Sequence, residues 1–139
     1  MLFTDTSALF AFLVEDDQHH LRALAAHATI RERREATWTI DPVITELWSL
    51  LDREQGSAAA DRLVRALLGS GVRREPVELD DYARAWQIAR DWPDQHFSLT
   101  DRQAFAAMER SRRTRAWSYD PDFQVIRLGP NRDRPIELI

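Results

Sequence analysis

The feature that most constrains this chain is a short apolar run at its N-terminus that ends on an acid and passes directly into a helical pattern. Residues 2–4 are predicted to form a buried strand, Asp5 follows, and residues 6–14 carry apolar side chains at helical spacing. In open parallel α/β sheets, ligands bind at the carboxyl ends of the strands. The pattern therefore predicts a sheet whose first strand presents Asp5 at the ligand-binding edge.

The rest of the chain continues this alternation of strands and helices. Further strands are predicted at 37–40, 72–77, 116–119 and 124–128. Helices are predicted at about 18–34, 43–54, 58–68 and 79–92, and after Ser98. This alternation implies a parallel sheet covered by helices on both faces. Pro76 cannot donate to a ladder, so the strand at 72–77 is predicted at a sheet edge.

Two of these helices carry apolar residues at a spacing that predicts their buried faces. The predicted inward residues are Leu21, Leu24, Ala25, Ala28 and Ile30 in one helix, and Leu79, Tyr82, Ala83, Trp86 and Ala89 in the other. Asp17 and Asp41 are predicted to cap helices. The adjacent His19 and His20 point apart and are interpreted as surface residues.

Composition excludes several classes of protein. The 139 residues contain no cysteine, which excludes a disulfide framework and a thiolate metal site. There are 23 acids against 19 bases, all of them arginine, and a pI near 5.5 argues against a simple basic nucleic-acid-binding module. The apolar N-terminus lacks a basic segment, and no run approaches the roughly 18 apolar residues of a membrane span. We expect a cytosolic protein with one domain at 1–139, in which 129–139 is a polar tail with an apolar end.

Two helical acids lie where solvated acids are not expected. On a helix, Glu46 lies only about 40° from Leu50, at the margin of the apolar face. Asp101 lies about 40° from Phe105 and forms, with Ser98, the pattern of a capping box. A charged group on the buried side of a helix needs a partner. Both acids are therefore candidates for a site.

Asp5 and Asp120 complete a set of four acids, because each follows a predicted apolar strand. Taken alone, Asp5 is a helix cap and Asp120 a turn residue. Together with Glu46 and Asp101 they favour one common site. Oxygen ligands without histidine or cysteine suit Mg²⁺ or Mn²⁺, and clustered carboxylates need a cation to stay ionised. Hydrolysis of a phosphodiester by a metal-activated water, with one metal or two, is the chemistry that such a cluster serves.

The chain resembles the PIN domain family, and more narrowly the VapC-type toxins of bacterial toxin–antitoxin pairs. The matching stretches are residues 5–9 (DTSAL), 43–47 (VITEL), 98–101 (SLTD) and 118–123 (SYDPDF). The order and separation of these motifs match those of the family over residues 1 to about 127. The resemblance implies a three-layer α/β/α sandwich with a central parallel sheet.

The resemblance also implies a function and a set of site residues. It implies a magnesium-dependent endoribonuclease that is held inactive by a cognate antitoxin and is commonly a homodimer. Carried over by motif, the acidic metal ligands are Asp5, Glu46, Asp101 and Asp120, and these are also the catalytic residues. The helper hydroxyls are Ser7 and Ser98. Asp122 is an alternative fourth ligand; Asp120 is preferred because it is expected to end a strand.

Four arginines at the end of a helix have two interpretations. They are Arg110, Arg112, Arg113 and Arg115. They could contact RNA, but cations at a helix C-terminus are usually solvated and suit the helix dipole. The sequence favours the second interpretation.

Other functions compete with the nuclease. A phosphatase that forms an aspartyl phosphate also begins with a strand ending on Asp, but it needs an acid two residues later, where this chain has Ser7. A structure-specific DNA nuclease of the same fold normally needs extra elements to clamp DNA. A binding or scaffold module with structural acids would bind no divalent metal.

Overall fold

A five-stranded, all-parallel sheet forms the centre of the molecule, in a computed structural model that describes every residue from Met1 to Ile139. The strands are β1 (Leu2–Thr4), β2 (Thr37–Ile40), β3 (Arg73–Glu75), β4 (Arg115–Trp117) and β7 (Glu137–Leu138), in the order β3-β2-β1-β4-β7. β3 lies at an edge, as predicted from Pro76. β5 (Arg127–Leu128) and β6 (Arg134–Pro135) form a separate antiparallel pair.

Seven helices flank the sheet and complete the predicted α/β/α sandwich. They are α1 (Thr6–Leu13), α2 (His20–Glu32), α3 (Asp41–Gln55), α4 (Ser57–Gly69), α5 (Leu79–Asp91), α6 (Leu99–Ser111) and α7 (Asp122–Val125). Gly56 separates α3 from α4 with a φ of 87°, a conformation that glycine adopts at little cost. None of these helices has both the length and the apolar character needed to cross a lipid bilayer.

The core lies on both faces of the sheet because side chains alternate along each strand. In β1, Leu2 packs with Ala8, Ala23 and Trp117 in a smaller cluster under α1 and α2. Phe3 belongs to the larger cluster, where its ring contacts those of Trp38 and Phe123. β1 is thus covered on both sides and delivers Asp5 to a largely closed environment.

The C-terminal tail is part of this sheet. Residues 115 and 116 of β4 pair in parallel with 137 and 138 of β7, and Ile136 is buried in the larger core cluster. The backbone N–H of Gly129 donates to the carboxylate of Glu109 at 2.6 Å. We therefore propose that residues 1–139 form one domain in which the tail supplies an edge strand.

The prediction for the buried face of α5 was wrong. Leu79, Tyr82 and Trp86 are 87%, 40% and 49% exposed, whereas Asp81, Ala85 and Ile88 face inward. Asp81 can be buried because Arg110 pairs with it at 2.9 Å. Since long-range ion pairs satisfy the polar side of α5, that side packs on α6 and the apolar side is left in solvent.

The prediction for α2 was also wrong in part. Ile30 is buried as expected, but Leu21 is 80% and Leu24 43% exposed, and Ala23 takes the inward position. Small residues on the inner face let α2 approach α1 closely, so the leucines point outward.

Three local expectations need correction. Asp41 is the first residue of α3 and makes an ion pair with Arg74 in place of a cap. Of the predicted strand at 124–128, residues 124 and 125 belong to a short helix, α7, and only residues 127 and 128 form a strand, β5. β4 ends at Trp117, two residues before the predicted end of the strand. A fourth expectation, that Asp17 caps α2, is also wrong: Asp17 accepts a hydrogen bond from the backbone N–H of His19, but His19 itself occupies the N-cap position of α2.

Candidate metal centre

Asp5 lies at the carboxyl end of β1, as predicted, and is only 3% exposed. Its Oδ2 accepts hydrogen bonds from the hydroxyls of Ser7 at 2.6 Å and Ser118 at 2.9 Å, and from the backbone N–H of Ser7. Burial raises the pKa of Asp5, and these hydrogen bonds partly oppose the rise. The same carboxylate caps α1. The role of Asp5 as a helix cap is therefore compatible with its predicted role in a site.

Asp101 occupies the third position of α6, in the capping box predicted from the sequence. The backbone N–H of Ser98 donates to Asp101 Oδ2 at 2.9 Å, and the N–H of Asp101 donates to Ser98 Oγ at 3.0 Å. Burial, reinforced by the charges of Asp5 and Asp120, raises the pKa of Asp101 to about 7, although the bonds from Ser98 oppose the rise. Asp5 and Asp120 are therefore close enough to Asp101 for their charges to act on it.

Asp120 and Asp122 both lie close to Asp101. One carboxylate oxygen from each of the three residues lies within 4.8 Å of the other two. Asp120 Oδ1 accepts the backbone N–H of Asp122 at 2.9 Å, in the tight turn that leads into α7. Burial, followed by the charge of Asp120, raises the pKa of Asp122. The reason for preferring Asp120, that it ends a strand, does not hold, and geometry gives both acids access to the centre.

Glu46, like Asp5, lies outside the group of three formed by Asp101, Asp120 and Asp122. Its Oε2 accepts a hydrogen bond of 2.6 Å from the hydroxyl of Thr6, the residue after Asp5. It is half-buried at the margin of α3, as its helical position predicts. Glu46 lines an open cleft of about 750 Å³, together with Ser49, Arg53, Tyr82 and Gln103.

The hydroxyls around Asp5 form a connected set. Ser7 Oγ accepts the N–H of Tyr119 at 2.9 Å, and Ser118 Oγ accepts that of Asp120 at 3.1 Å. Because backbone donors fill their acceptor positions, both hydroxyls point their protons at Asp5. Ser7 was predicted for this region and Ser98 serves the capping box. Ser118 and Thr6 were missed, although each lies within two residues of a predicted acid.

No arginine or histidine hydrogen-bonds or ion-pairs with Asp5, Asp101, Asp120 or Asp122. Every ion pair in the molecule uses another acid. Close carboxylates that lack a cationic side chain repel one another unless a metal ion neutralises them. The set contains only hard oxygen donors, which suits a divalent cation of the magnesium type.

The four arginines at the end of α6 lie away from these acids. α6 places Asp101 in its first turn and Arg110 in its last, about 14 Å apart at 1.5 Å per residue. Arg110 pairs with Asp81, Arg113 with Glu75, and Arg115 with Glu35 and Glu137. Arg112 is exposed in the left-handed conformation that ends the helix. Three of the four therefore act as structural ion-pair partners.

Comparison with known proteins identifies the family. The chain matches the PIN domain family over residues 2–128. It is 30% identical over 125 residues to the 23S rRNA-specific endonuclease VapC20 of Mycobacterium tuberculosis, in strains CDC 1551 and H37Rv, and the match covers 90% of this chain and 93% of that protein. The crystal structure of M. tuberculosis VapC20, described as a sarcin–ricin loop cleaving toxin, superposes with a TM-score of 0.81 at 28% identity and covers 90% of this chain and 94% of that one. The chain therefore belongs to the PIN domain family, and within it is similar to the VapC type.

Proposed function

We propose that this protein is a divalent-metal-dependent endoribonuclease, the toxin of a toxin–antitoxin module, that hydrolyses RNA phosphodiester bonds. The observation that carries the proposal is the cluster of Asp101, Asp120 and Asp122 next to Asp5, without a compensating side-chain cation, in a PIN domain. The similarity to a named endonuclease of nearly the same length supports it.

The acidic centre is suited to hold Mg²⁺ or Mn²⁺. Asp5, Asp101 and Asp120, with Asp122 as a further ligand, would hold the ion, and Glu46 of α3 is a fifth candidate. When bound, such a metal would supply positive charge at the phosphodiester and would lower the pKa of a bound water molecule. The hydrogen bonds from Ser7 and Ser118 favour the ionised form of Asp5 against the effect of burial and fix the orientation of its carboxylate. Asp101 must release its proton before it can act as a ligand.

RNA is the proposed substrate, and the sarcin–ricin loop of the large ribosomal RNA is the first sequence to test. The support is the printed description of VapC20, together with the cleft beside Glu46. Sequence-specific proteins recognise RNA mostly at loops whose bases can be splayed out. The proposed reaction requires a cytoplasmic location, where ribosomes are found.

The test is cleavage of a sarcin–ricin loop oligonucleotide with Mg²⁺, with Mn²⁺ and with EDTA. We expect cleavage only with metal, and products with 5′-phosphate and 3′-hydroxyl ends because water is the nucleophile. Ends carrying a 2′,3′-cyclic phosphate would rule out this mechanism. DNA of the same sequence tests the alternative of a DNA nuclease. A melting temperature that does not change in millimolar Mn²⁺ would favour a non-catalytic scaffold.

An antitoxin is the proposed protein partner. The support is the VapC similarity and the anionic centre, which an arginine or lysine of the antitoxin could neutralise. We expect the protein encoded immediately upstream to co-purify with this chain and to relieve its inhibition of growth. If that protein does neither, it is not the partner.

A homodimer is the proposed assembly, formed through the exposed α5 stripe of Leu79, Tyr82, Ala83, Trp86 and Ala89. Asp80 and Arg90 lie exposed at opposite ends of α5, and neither makes an ion pair. In an antiparallel two-fold pairing of α5 with its copy, Asp80 of one protomer meets Arg90 of the other, and Trp86 faces the small Ala83. The stripe is thus self-complementary, as a two-fold interface must be.

Sedimentation of the wild type and two variants tests this interface. Trp86→Glu should weaken dimerisation at least about tenfold, since it places a charge at the centre of an apolar contact. Leu21→Glu is the matched control, because Leu21 is an equally apolar, exposed residue on α2. A dimer that survives Trp86→Glu but not Leu21→Glu would move the interface to α2.

A further inference from the structure

An aromatic and cationic group lies beside the acidic centre and has no part in the chemistry described so far. The ring of His19 stacks on that of Tyr119, with centroids 4.7 Å apart and planes 23° apart. The guanidinium of Arg22 lies 5.1 Å from the same tyrosine centroid. We refer to His19, Arg22 and Tyr119 as the α2 platform.

The α2 platform is attached directly to the acidic centre. Tyr119 lies between Ser118, which donates to Asp5, and Asp120. The N–H of Tyr119 donates to Ser7 Oγ, which in turn donates to Asp5. Tyr119 is therefore the direct chain neighbour of two residues of the acidic centre and is hydrogen-bonded to a third.

Both sides of the α2 platform are held in place by hydrogen bonds. Trp117 Nε1 donates to the hydroxyl of Tyr119 at 3.1 Å. Asp17 accepts the N–H of His19 at 2.7 Å, and the ring of His20 hydrogen-bonds to the carbonyl of Ala11 at 2.8 Å. A surface that is ordered before the ligand arrives loses little conformational entropy on binding.

Arg22 has free hydrogen-bonding capacity. It is exposed and makes no hydrogen bond or ion pair within the chain, in contrast to Arg84, which pairs with Glu109 and Asp91. A cation–π contact with Tyr119 leaves the N–H groups of the Arg22 guanidinium free to bind a phosphate in a bidentate manner. The half-buried rings of His19 and Tyr119 offer aromatic surface to a base.

We propose that the α2 platform positions the nucleotide next to the scissile phosphate, with Arg22 on a neighbouring phosphate and the His19 and Tyr119 rings against a base. This inference rests on the proposed ribonuclease function. It makes His19, Arg22 and Tyr119 positioning residues that determine substrate affinity and preference, while the acids carry out the chemistry.

Arg22→Met tests the proposal because it keeps an unbranched stem and removes the charge. We expect KM for RNA to rise about tenfold, while kcat stays within about twofold of wild type. The slope of log Kd against log salt concentration should fall by about 0.7, the value for one phosphate contact on a single strand. Arg22→Lys should restore the salt slope but only part of the affinity, since lysine lacks the planar fork. The matched control is Arg65→Met, an exposed and unpaired arginine on α4, which should change neither KM nor the slope.

Two further measurements separate the possible failures. The increase in melting temperature caused by Mn²⁺ should be the same in wild type and in Arg22→Met. A smaller increase in Arg22→Met, together with a reduced kcat, would indicate that Arg22 only supports the metal centre. That result would overturn the proposal. Kd is measured by anisotropy of a labelled single-stranded RNA in EDTA, so it does not depend on cleavage. If wild type binds this RNA but cleaves nothing, the nuclease proposal fails while the platform is still tested. Unchanged Kd and KM in Arg22→Met would refute the platform itself.

Discussion

Replacing Asp101 with asparagine is expected to abolish RNA cleavage and, without metal, to make the protein more stable by roughly 1 kcal/mol. Asp101 is 8% exposed, and burial and the charges of Asp5 and Asp120 raise its pKa to about 7. Asparagine removes the charge, while its side-chain oxygen can still accept the N–H of Ser98 in the capping box. Activity should fall by at least about 10²-fold, and most of the stabilisation by Mn²⁺ should disappear, because metal binding is linked to folding. Melting curves of both proteins in EDTA and in Mn²⁺, with an RNA cleavage assay, measure these effects.

Asp81→Asn is the matched control for this prediction. Asp81 also occupies the third position of a capping box, on α5, and is 2% exposed. It differs from Asp101 in having a cationic partner, Arg110. Asp81→Asn should therefore destabilise the protein by about 1–3 kcal/mol, since it breaks a charged pair. If Asp101→Asn also destabilises the metal-free protein, Asp101 is mainly a helix cap, and the repulsion among the acids is not the dominant effect.

The stability of the metal-free protein should depend on pH in the opposite direction from that of a protein whose acids are ionised and paired in the folded state. The folded-state pKa of Asp101, about 7, lies above its ordinary value of 3.8, so between these values the folded protein holds a proton that the unfolded chain releases. The stabilising contribution of Asp101 is complete below about pH 4 and is lost as the pH rises through about 7, with a slope of at most about 1.4 kcal/mol per pH unit. The raised pKa values of Asp5 and Asp122 act in the same direction.

Comparing wild type with Asp101→Asn isolates this contribution from those of the other acids. In EDTA, the two proteins should be of similar stability near pH 5, and the advantage of Asp101→Asn should grow towards pH 7.5. The increase in wild-type melting temperature caused by Mn²⁺ should also grow over this range, because the metal competes with the proton for Asp101. An advantage of Asp101→Asn that does not change with pH would mean that Asp101 is already ionised at pH 5. The repulsion would then have to be assigned to other acids.

The same RNA cleavage assay tests whether Asp122 contributes to the metal site. Asp122→Asn retains substantial activity if Asp120 alone supplies the last ligand. The position of Asp122, within 4.8 Å of both Asp101 and Asp120, leads us to expect a loss intermediate between wild type and Asp101→Asn.

The sequence by itself determined the elements near Asp5 because short-range rules decide them. Residues 2–4 are apolar and followed by an acid, Ser98 and Asp101 have the spacing of a capping box, and Glu46 lies at the margin of an apolar helical face. All three predictions agree with the structure. Hydrophobic periodicity and capping act within a few residues, so one stretch of sequence contains all the information needed.

Only the tertiary structure decided which faces were buried, which arginines were paired and which acids met. The apolar stripe of α5 is exposed because Asp81 and Arg84 find partners on α6, Arg110 and Glu109, at 25 or more positions along the chain. Asp122, the first residue of α7, lies close to Asp101, and Ser118 reaches Asp5 across 113 positions. Such contacts depend on how the strands are ordered in the sheet, and pairing between distant charges leaves no periodic pattern in the sequence.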